Sequence, residues 1–336
     1  MITDIHVHHV PEPFVTFLEK AAPYRVRREP ASGETIDVTV GELKYGLNRT
    51  FFDSERLIQR MQDMRVDHAL LSLATPFAKF DVPASLGIET AQLYNDEIAR
   101  MHRAAPDRFD GWAFLPMQDA EAAAKELRRA VHLGLIGGYL PSNVKGRYLD
   151  SEEFAPIFQA AAELDVPLMI HPSNPPARER MSGYELAAVS GYLFDTTLNI
   201  FHMIFGGLLD RHPALRLYCT HLGGFAPFLR ARMQRELDTN PGLAARLKRP
   251  LGAYLQSIYY DTICFDPVYL RAALESEGVD PARLILGSDT PFPLGESDPV
   301  GFIQRSFHDQ RPETADAILH RNASHLFAHR TSGVRQ

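Results

Sequence analysis

The sequence predicts a (β/α)8 barrel, or TIM barrel, with insertions after its first and fifth strands. Eight short apolar runs alternate with longer stretches of helical periodicity along the 336 residues, an order typical of a closed barrel of parallel strands. Most of these runs are continuously apolar, as expected for strands that are buried on both faces. A doubly wound open sheet is the alternative, but no glycine-rich fingerprint follows the first run.

The predicted strands and helices follow one another along the whole chain. Asp119 is placed to cap a helix over Ala120–Leu133, and Gly134 follows where a left-handed glycine commonly ends a helix. Pro106 and Pro213 also follow helical patterns that they cannot continue. The predicted strands are Ile2–Val7, His68–Leu73, Phe109–Leu115, Ile136–Leu140, Pro167–His171, Leu215–Thr220, Ile258–Cys264 and Leu284–Gly287.

Two connections are too long for plain loops. Val10–Thr50 follows the first strand and Pro172–Gly191 follows the fifth. Both leave the carboxyl ends of strands, which is the face where barrel enzymes carry their active sites, and long loops in compact domains are usually functional. We expect residues 1–330 to form a single barrel domain and residues 331–336 to form a flexible tail.

Composition and charge exclude several classes of protein. The formal net charge is −7, from 35 basic and 42 acidic residues, and no basic cluster indicates nucleic-acid binding. The chain has no run of about 18 apolar residues, so we expect no membrane span. The two cysteines are too few for a disulfide framework. The opening MITDIHVHH lacks the features of a signal peptide, so the prediction is a cytoplasmic enzyme.

Five side chains that can bind a metal or carry a proton stand at strand ends. His6 and His8 are two residues apart on the first strand and therefore point to the same side. His171 ends the fifth strand, His221 ends the sixth, and Asp289 follows the eighth. The carboxyl ends of barrel strands converge on one mouth. We therefore expect these five residues to form one site.

Four segments resemble signatures of the amidohydrolase superfamily: DIHVHHVP, MIHPSN, THLGGFAPFLRAR and ILGSDTPFPLGE. Within it, the chain is most similar to the aminocarboxymuconate-semialdehyde decarboxylase-like group, and the similarity continues through TTLNIFHMIFGGLLDRHPALRL and NASHLF. The resemblance implies that a metal ion is held by His6, His8, His171 and Asp289. It also implies that His221 is the neighbouring acid–base residue.

The chemistry of these residue types agrees with the implied site. Three imidazoles and one carboxylate suit zinc, which draws the pKa of a bound water towards neutrality. Manganese is the alternative, because the same ligands accept it. Dinuclear amidohydrolases often have a bridging lysine after strand four. Here that strand ends YLPSN, with Lys145 several residues beyond, so one divalent metal ion is favoured.

The resemblance also implies a small-molecule carboxylate substrate and a homodimer. Arginines near Arg49 and at Arg232 hold the substrate carboxylate in the decarboxylase group, and one of them reaches across a dimer interface. Arg232 matches that pattern. Arg178 and Arg180, on the long loop after strand five, are alternative anion-binding residues. Phe51, Phe77, Trp112 and Phe292 are candidates for an aromatic wall, and barrel packing explains them equally well.

The predicted function is metal-dependent, non-oxidative decarboxylation of an unsaturated or aromatic carboxylic acid, with His221 or Asp289 handling the proton. Hydrolysis of an amide, lactone or carbon–carbon bond is the alternative, and hydration is another. A non-catalytic metal-binding protein is disfavoured because no ligand position is lost. Pro172-Ser173-Asn174 replaces the Trp-Asp pair of the decarboxylase, and Leu222 interrupts its glycine run. We therefore do not assign aminocarboxymuconate semialdehyde as the substrate.

Overall fold

A computed structural model describes residues 1–21, 24–29, 34–307 and 311–327 of the chain. The predicted tail, 331–336, lies outside the described residues. The strands are β1 (Thr3–His8), β2 (Arg27–Arg28), β3 (Thr35–Val40), β4 (Leu43–Asn48), β5 (His68–Ser72), β6 (Phe109–Phe114), β7 (Gly137–Pro141), β8 (Asn143–Val144), β9 (Arg147–Tyr148), β10 (Leu168–His171), β11 (Leu217–Cys219), β12 (Tyr259–Asp261) and β13 (Leu284–Ile285).

Helices follow most of these strands and cover the outside of the sheet. They are α1 (Glu12–Lys20), α2 (Ser54–Asp63), α3 (Ala84–Ala104), α4 (Ala120–His132), α5 (Ala155–Leu164), α6 (Tyr192–Phe205), α7 (Leu208–Arg211), α8 (Ala226–Thr239), α9 (Pro241–Ala244), α10 (Leu251–Leu255), α11 (Pro267–Glu275), α12 (Pro299–Phe307), α13 (Pro312–His320) and α14 (Asn322–Leu326). None of the helices in the described ranges is long and apolar enough to cross a membrane.

Eight parallel strands form one sheet in the order β1-β5-β6-β7-β10-β11-β12-β13. The first strand also meets the last, because the Ile5 N–H donates to the Leu286 carbonyl at 3.1 Å and the His8 N–H donates to the Thr290 carbonyl at 2.7 Å. These bonds close the sheet on itself. The predicted (β/α)8 barrel is confirmed. Six of its eight strands lie within predicted runs, and β1 and β7 each end one residue beyond theirs.

Local sequence signals set the helix ends as predicted. The Asp119 side chain accepts a hydrogen bond from the Ala122 N–H at 3.0 Å and caps α4. Gly134, which follows the helix, has φ +103°, a conformation that residues with a Cβ atom rarely adopt. The cap and the glycine therefore fix where β7 begins, and β7 lies beside the site strand β10.

Both predicted insertions are present. The first contains α1 and an antiparallel sheet in the order β2-β3-β4. The second contains a 3-10 turn at Arg178–Met181 and a π-helical turn at Ala187–Gly191, which leads into α6. The Arg178 side chain of the second insertion hydrogen-bonds the Tyr45 hydroxyl on β4, so the two insertions are in contact with each other.

The interior of the barrel is filled by side chains that alternate with those facing the helices. On β1, Asp4, His6 and His8 share one side of the strand. Trp112 lies deep in the barrel, where its indole N–H donates to the Ile5 carbonyl at 3.1 Å and its ring packs on Tyr218. Of the two explanations for Trp112, the structure therefore supports barrel packing and not a place in the pocket wall.

Candidate active site

The five predicted strand-end residues lie together at the barrel mouth. One ligand atom from each of His6, His171, His221 and Asp289 falls within 4.8 Å of the others. His8 completes the group, because its Nε2 lies 3.2 Å from Nε2 of His6 and 2.9 Å from Oδ1 of Asp289. All five side chains are at least largely buried, so the cluster is a desolvated polar centre at one end of the barrel.

Neighbouring acceptors fix the orientation of two of the imidazoles. Nδ1 of His171 lies 2.8 Å from the Pro172 carbonyl oxygen, which can only accept, so Nδ1 carries the hydrogen. Nδ1 of His6 lies 2.9 Å from Oδ2 of Asp261 and donates to that carboxylate. When Nδ1 is the donor, Nε2 of the neutral ring keeps its lone pair free. Both rings therefore offer Nε2 as a ligand atom.

The third imidazole is oriented by a hydroxyl group. Nδ1 of His8 lies 3.0 Å from Oγ of Ser72, and the Ser72 hydroxyl donates to the Val7 carbonyl at 3.2 Å. Because that hydroxyl has already used its hydrogen, it accepts the hydrogen of His8 Nδ1. Nε2 of His8 is again left facing the cluster. Hydrogen bonds of this kind orient histidines that bind metals.

This donor set fits a divalent cation. Nε2 of His171 is buried and has no hydrogen-bond partner among the described residues. Nε2 of His6 and Nε2 of His8 lie 3.2 Å apart although both Nδ1 atoms hold the hydrogens, so two lone pairs face each other. The Asp289 carboxylate lies beside them. Buried nitrogens and a carboxylate that converge in this way match a site for zinc or a similar ion.

The electrostatics of the cluster favour the ligand forms of His171, His8 and Asp289, whereas Asp289 and Asp261 raise the pKa of His6 despite its burial. Burial, together with the other imidazoles, holds the pKa of His171 well below its ordinary value. Burial lowers the pKa of His8 as well. Burial alone would raise the pKa of Asp289, but His6 and His221 hold it well below its ordinary value. His171 and His8 are therefore neutral and Asp289 is ionised near neutral pH, which are the forms that bind cations.

Asp261, at the end of β12, is a functional residue that the sequence analysis missed. Besides His6, its Oδ2 accepts from the Tyr218 hydroxyl at 2.8 Å and from the His221 N–H at 3.0 Å. Its Oδ1 accepts from the Leu222 N–H at 3.0 Å. The carboxylate is fully buried, and despite that burial His6, His221 and the Leu222 N–H lower its pKa. An acidic residue that ends an apolar run, as in SIYYDTIC, is the signal that could have identified it.

The backbone is strained where two of the site residues lie. His221 has φ +55°, Leu222 has φ +53° and Asp289 has φ +62°, values that typically cost about 1–3 kcal/mol for a residue other than glycine. The Asp261 carboxylate accepts the backbone N–H groups of His221 and Leu222 and so stabilises their unusual turn. Gly224 follows, where an added Cβ would lie 2.2 Å from the Leu193 carbonyl oxygen.

An aromatic wall borders the cluster on the side of the first insertion. The Phe292 ring packs edge-on against His8 with centroids 5.0 Å apart, and the Phe51 ring packs against Phe292 at 4.8 Å. Arg49 begins the 3-10 turn that carries Phe51. The structure therefore places Arg49 two residues from this wall. Its predicted role in binding a carboxylate remains a prediction.

Within a single chain, Arg232 is not part of the cluster. It lies on the exposed side of α8, one turn beyond Phe228 and Leu229. Arg178 is half-buried at the contact between the two insertions, whereas Arg180 is exposed. Lys145 is also exposed, so this lysine does not enter the cluster.

A protein-family model described as "Amidohydrolase" matches residues 3–328. The chain belongs to the amidohydrolase family. Among curated members, a 2-amino-3-carboxymuconate-6-semialdehyde decarboxylase of Dictyostelium discoideum is 30% identical over 325 residues, covering 95% of this chain and 89% of the relative. A gamma-resorcylate decarboxylase of Polaromonas sp. strain JS666 is 30% identical over 254 residues, covering 71% of this chain and 77% of the relative.

Solved structures share the fold of this amidohydrolase. The IDCase of Metarhizium anisopliae, in apo form, superposes with a TM-score of 0.85 at 24% identity and covers 98% of this chain and 97% of its own. A dihydroxybenzoic acid decarboxylase from Polaromonas sp. JS666, with bound manganese and the inhibitor 2-nitroresorcinol, has a TM-score of 0.76 at 23% identity, covering 97% and 96%.

Proposed function

We propose that this amidohydrolase is a metal-dependent, non-oxidative decarboxylase of an unsaturated or aromatic carboxylic acid. The observation that carries the proposal is the convergence of His6, His8, His171, His221 and Asp289 at the barrel mouth. Two relatives of this chain are named a 2-amino-3-carboxymuconate-6-semialdehyde decarboxylase and a gamma-resorcylate decarboxylase. The Phe292 ring beside His8 supports a flat, unsaturated substrate.

One divalent ion is proposed, held by His6, His8, His171 and Asp289. When bound, it supplies a Lewis acid that binds and polarises substrate oxygens. Zinc is proposed because three imidazoles and a carboxylate suit it. Manganese is the alternative, since the Polaromonas structure contains it. One ion rather than two is proposed because Lys145 is exposed.

The proton of the reaction is assigned to His221 and Asp289. Decarboxylation breaks the bond between the carboxylate carbon and its neighbour, and carbon dioxide leaves while the electron pair stays on that neighbour. A proton must then bond to the same carbon. Nε2 of His221 lies 3.5 Å from Oδ2 of Asp289, so His221 or the Asp289 carboxylate delivers this proton from the same side of the site.

A homodimer is proposed from the exposed surface that carries Arg232. Five large apolar side chains on α8, on α11 and on the loop before α11 are between 36% and 57% exposed: Phe228, Leu229, Phe265, Val268 and Tyr269. The rings of Phe228 and Tyr269 pack against each other at 6.4 Å. A second copy that covers this patch would use the same patch on both chains. Arg232 lies on the same side of α8 and would then reach the partner's pocket, where its planar fork suits a carboxylate.

The proposed function is tested by a panel of carboxylated muconates, hydroxybenzoates, lactones and amides. Protein is stripped with a chelator and reloaded with zinc or manganese, and the stripped protein is the control. We expect carbon dioxide release from at least one carboxylic acid. In deuterated water, we expect one deuterium on the carbon that lost the carboxylate. Acid release from lactones or amides, or addition of water without carbon dioxide release, would contradict the proposal.

A further inference from the structure

Tyr139 is a buried polar side chain next to the cluster. It lies on β7, and its side chain has no exposed surface. Its ring stacks on His171, with centroids 5.7 Å apart and planes 24° apart. The hydroxyl oxygen has no hydrogen-bond partner among the described residues. Buried hydroxyls without a partner are rare in folded proteins, because they lose their water without compensation.

The Tyr139 side chain lies on the same face of the sheet as His171. Tyr139 is paired with Met169 on β10, and Met169 and His171 are two residues apart, so their side chains point to the same face. A phenol keeps its hydrogen at neutral pH, so the Tyr139 hydroxyl acts as a donor.

The strand that carries Tyr139 is held rigidly against the strand that carries His171. Tyr139 is paired with Met169 on β10. Three residues after Tyr139, the Ser142 N–H donates to the His171 carbonyl at 3.0 Å. Ser142 in turn donates its hydroxyl hydrogen to the buried carboxylate of Asp195 on α6. The donor therefore has a fixed place relative to His171, as a preorganised binding group requires.

Two other buried tyrosines on the barrel strands have hydrogen-bond partners within the chain. The Tyr218 hydroxyl donates to Asp261 at 2.8 Å, and the Tyr260 hydroxyl donates to the Leu255 carbonyl at 3.0 Å. The open donor at Tyr139 is thus not a general property of tyrosines inside this barrel. It lies where β7 adjoins a proposed metal ligand.

We propose that the Tyr139 hydroxyl is a substrate-binding group that donates a hydrogen bond to a carboxylate oxygen of the bound acid. This proposal rests on the proposed function, because it requires an anionic oxygen to be bound beside His171. Hydrogen bonds from a hydroxyl to an ionised oxygen are short and strong, especially where water is excluded. Tyr139 would therefore favour carboxylic acids over esters or amides of the same ring.

The test is Tyr139→Phe, which keeps the ring stacked on His171 and removes only the hydroxyl. Binding is measured by calorimetry with the panel acid that the wild type decarboxylates fastest, starting with 2,6-dihydroxybenzoate. His221→Ala is the background, so that the acid is not consumed. We expect Kd to rise about 10- to 100-fold, the effect of losing a hydrogen bond to a charged group. In the chain with His221 intact, we expect kcat/KM to fall by a similar factor while the bound metal stays the same.

Thermal unfolding provides a readout that a merely structural role would not share. None of the described residues loses a hydrogen bond in Tyr139→Phe, so we expect an unchanged or higher Tm for the metal-free protein. Tyr260→Phe is the matched control: it leaves the Leu255 carbonyl unpaired, so we expect a lower Tm and an unchanged Kd.

The outcomes are distinct. If Tyr139→Phe binds the acid as tightly as its background chain, or if its Tm falls as that of Tyr260→Phe does, the assignment of Tyr139 is wrong and the proposed function stands. If the wild type decarboxylates no acid in the panel, the proposed function fails and this assignment fails with it.

Discussion

Replacing Asp261 by Asn is the sharpest test of how the site is built. The carboxylate accepts from His6 Nδ1, the Tyr218 hydroxyl and the His221 N–H through Oδ2, and from the Leu222 and Ile263 N–H groups through Oδ1. All five partners are donors. An asparagine side chain has one oxygen and one NH2 group, so whichever way it turns, its NH2 group faces donors.

The expected loss in the free energy of unfolding applies to the orientation of the asparagine side chain that leaves fewer donors unpaired. If the NH2 group faces Leu222 and Ile263, two buried N–H groups lose their acceptor, at about 1–3 kcal/mol each. The free energy of unfolding should therefore fall by roughly 2–6 kcal/mol, a large part of the 5–15 kcal/mol typical of a folded domain. The neutral carbonyl left for His6 also orients and polarises the imidazole less. Loss of such a partner commonly weakens metal binding about 10- to 100-fold.

Two assays check this prediction. Urea unfolding of the chelator-treated protein gives the free energy of unfolding, and competition with a chromophoric chelator gives the metal affinity. Asp266→Asn is the control, because Asp266 is exposed and caps α11 through the Val268 N–H at 2.7 Å, which asparagine also does well. If Asp261→Asn unfolds within about 1 kcal/mol of the wild type and keeps its metal affinity, the reasoning about Asp261 is refuted.

Three further predictions follow from the proposed roles. His171→Ala and Asp289→Ala should lose metal and activity together; elemental analysis of the purified wild type should find one equivalent per chain, and two would contradict the ligand set. His221→Ala should lower turnover about 10²- to 10⁴-fold and keep most of the metal; metal loss as large as in His171→Ala would make His221 a ligand. A mixture of His221→Ala and Arg232→Ala chains should regain activity through heterodimers, and a monomer in light scattering would refute the shared pocket.

The strands could be predicted from the sequence because their signal is local. A parallel strand covered on both faces is apolar throughout, and most of the eight runs carry that pattern without reference to their neighbours. The strand ends could be predicted for the same reason. His171 and His221 each end an apolar run, and the closed barrel brings such ends to one mouth. Short segments of the sequence were therefore sufficient to predict the fold and the residues that form the cluster.

The hydrogen-bond partners of the site histidines could not be predicted, because these partners depend on which strands become neighbours and in what register. Asp261 is 255 residues from His6, and Ser72 is 64 residues from His8. In the sequence, each is an ordinary polar residue near the end of an apolar run. Tyr139 is a stronger case, because its proposed role depends on the absence of a hydrogen-bond partner for its hydroxyl among the described residues, which only the folded structure can show.

The strained turn at the end of β11 shows why a residue that the sequence analysis did not identify, Asp261, matters as much as the predicted ones. His221 and Leu222 both have positive φ, a conformation that glycine would adopt more easily. A glycine at position 221 would remove the imidazole that faces Asp289. The chain keeps the histidine, and the Asp261 carboxylate holds the backbone N–H groups of both strained residues. The same carboxylate orients His6, so one buried charge ties the position of the proposed acid–base residue to that of a proposed metal ligand.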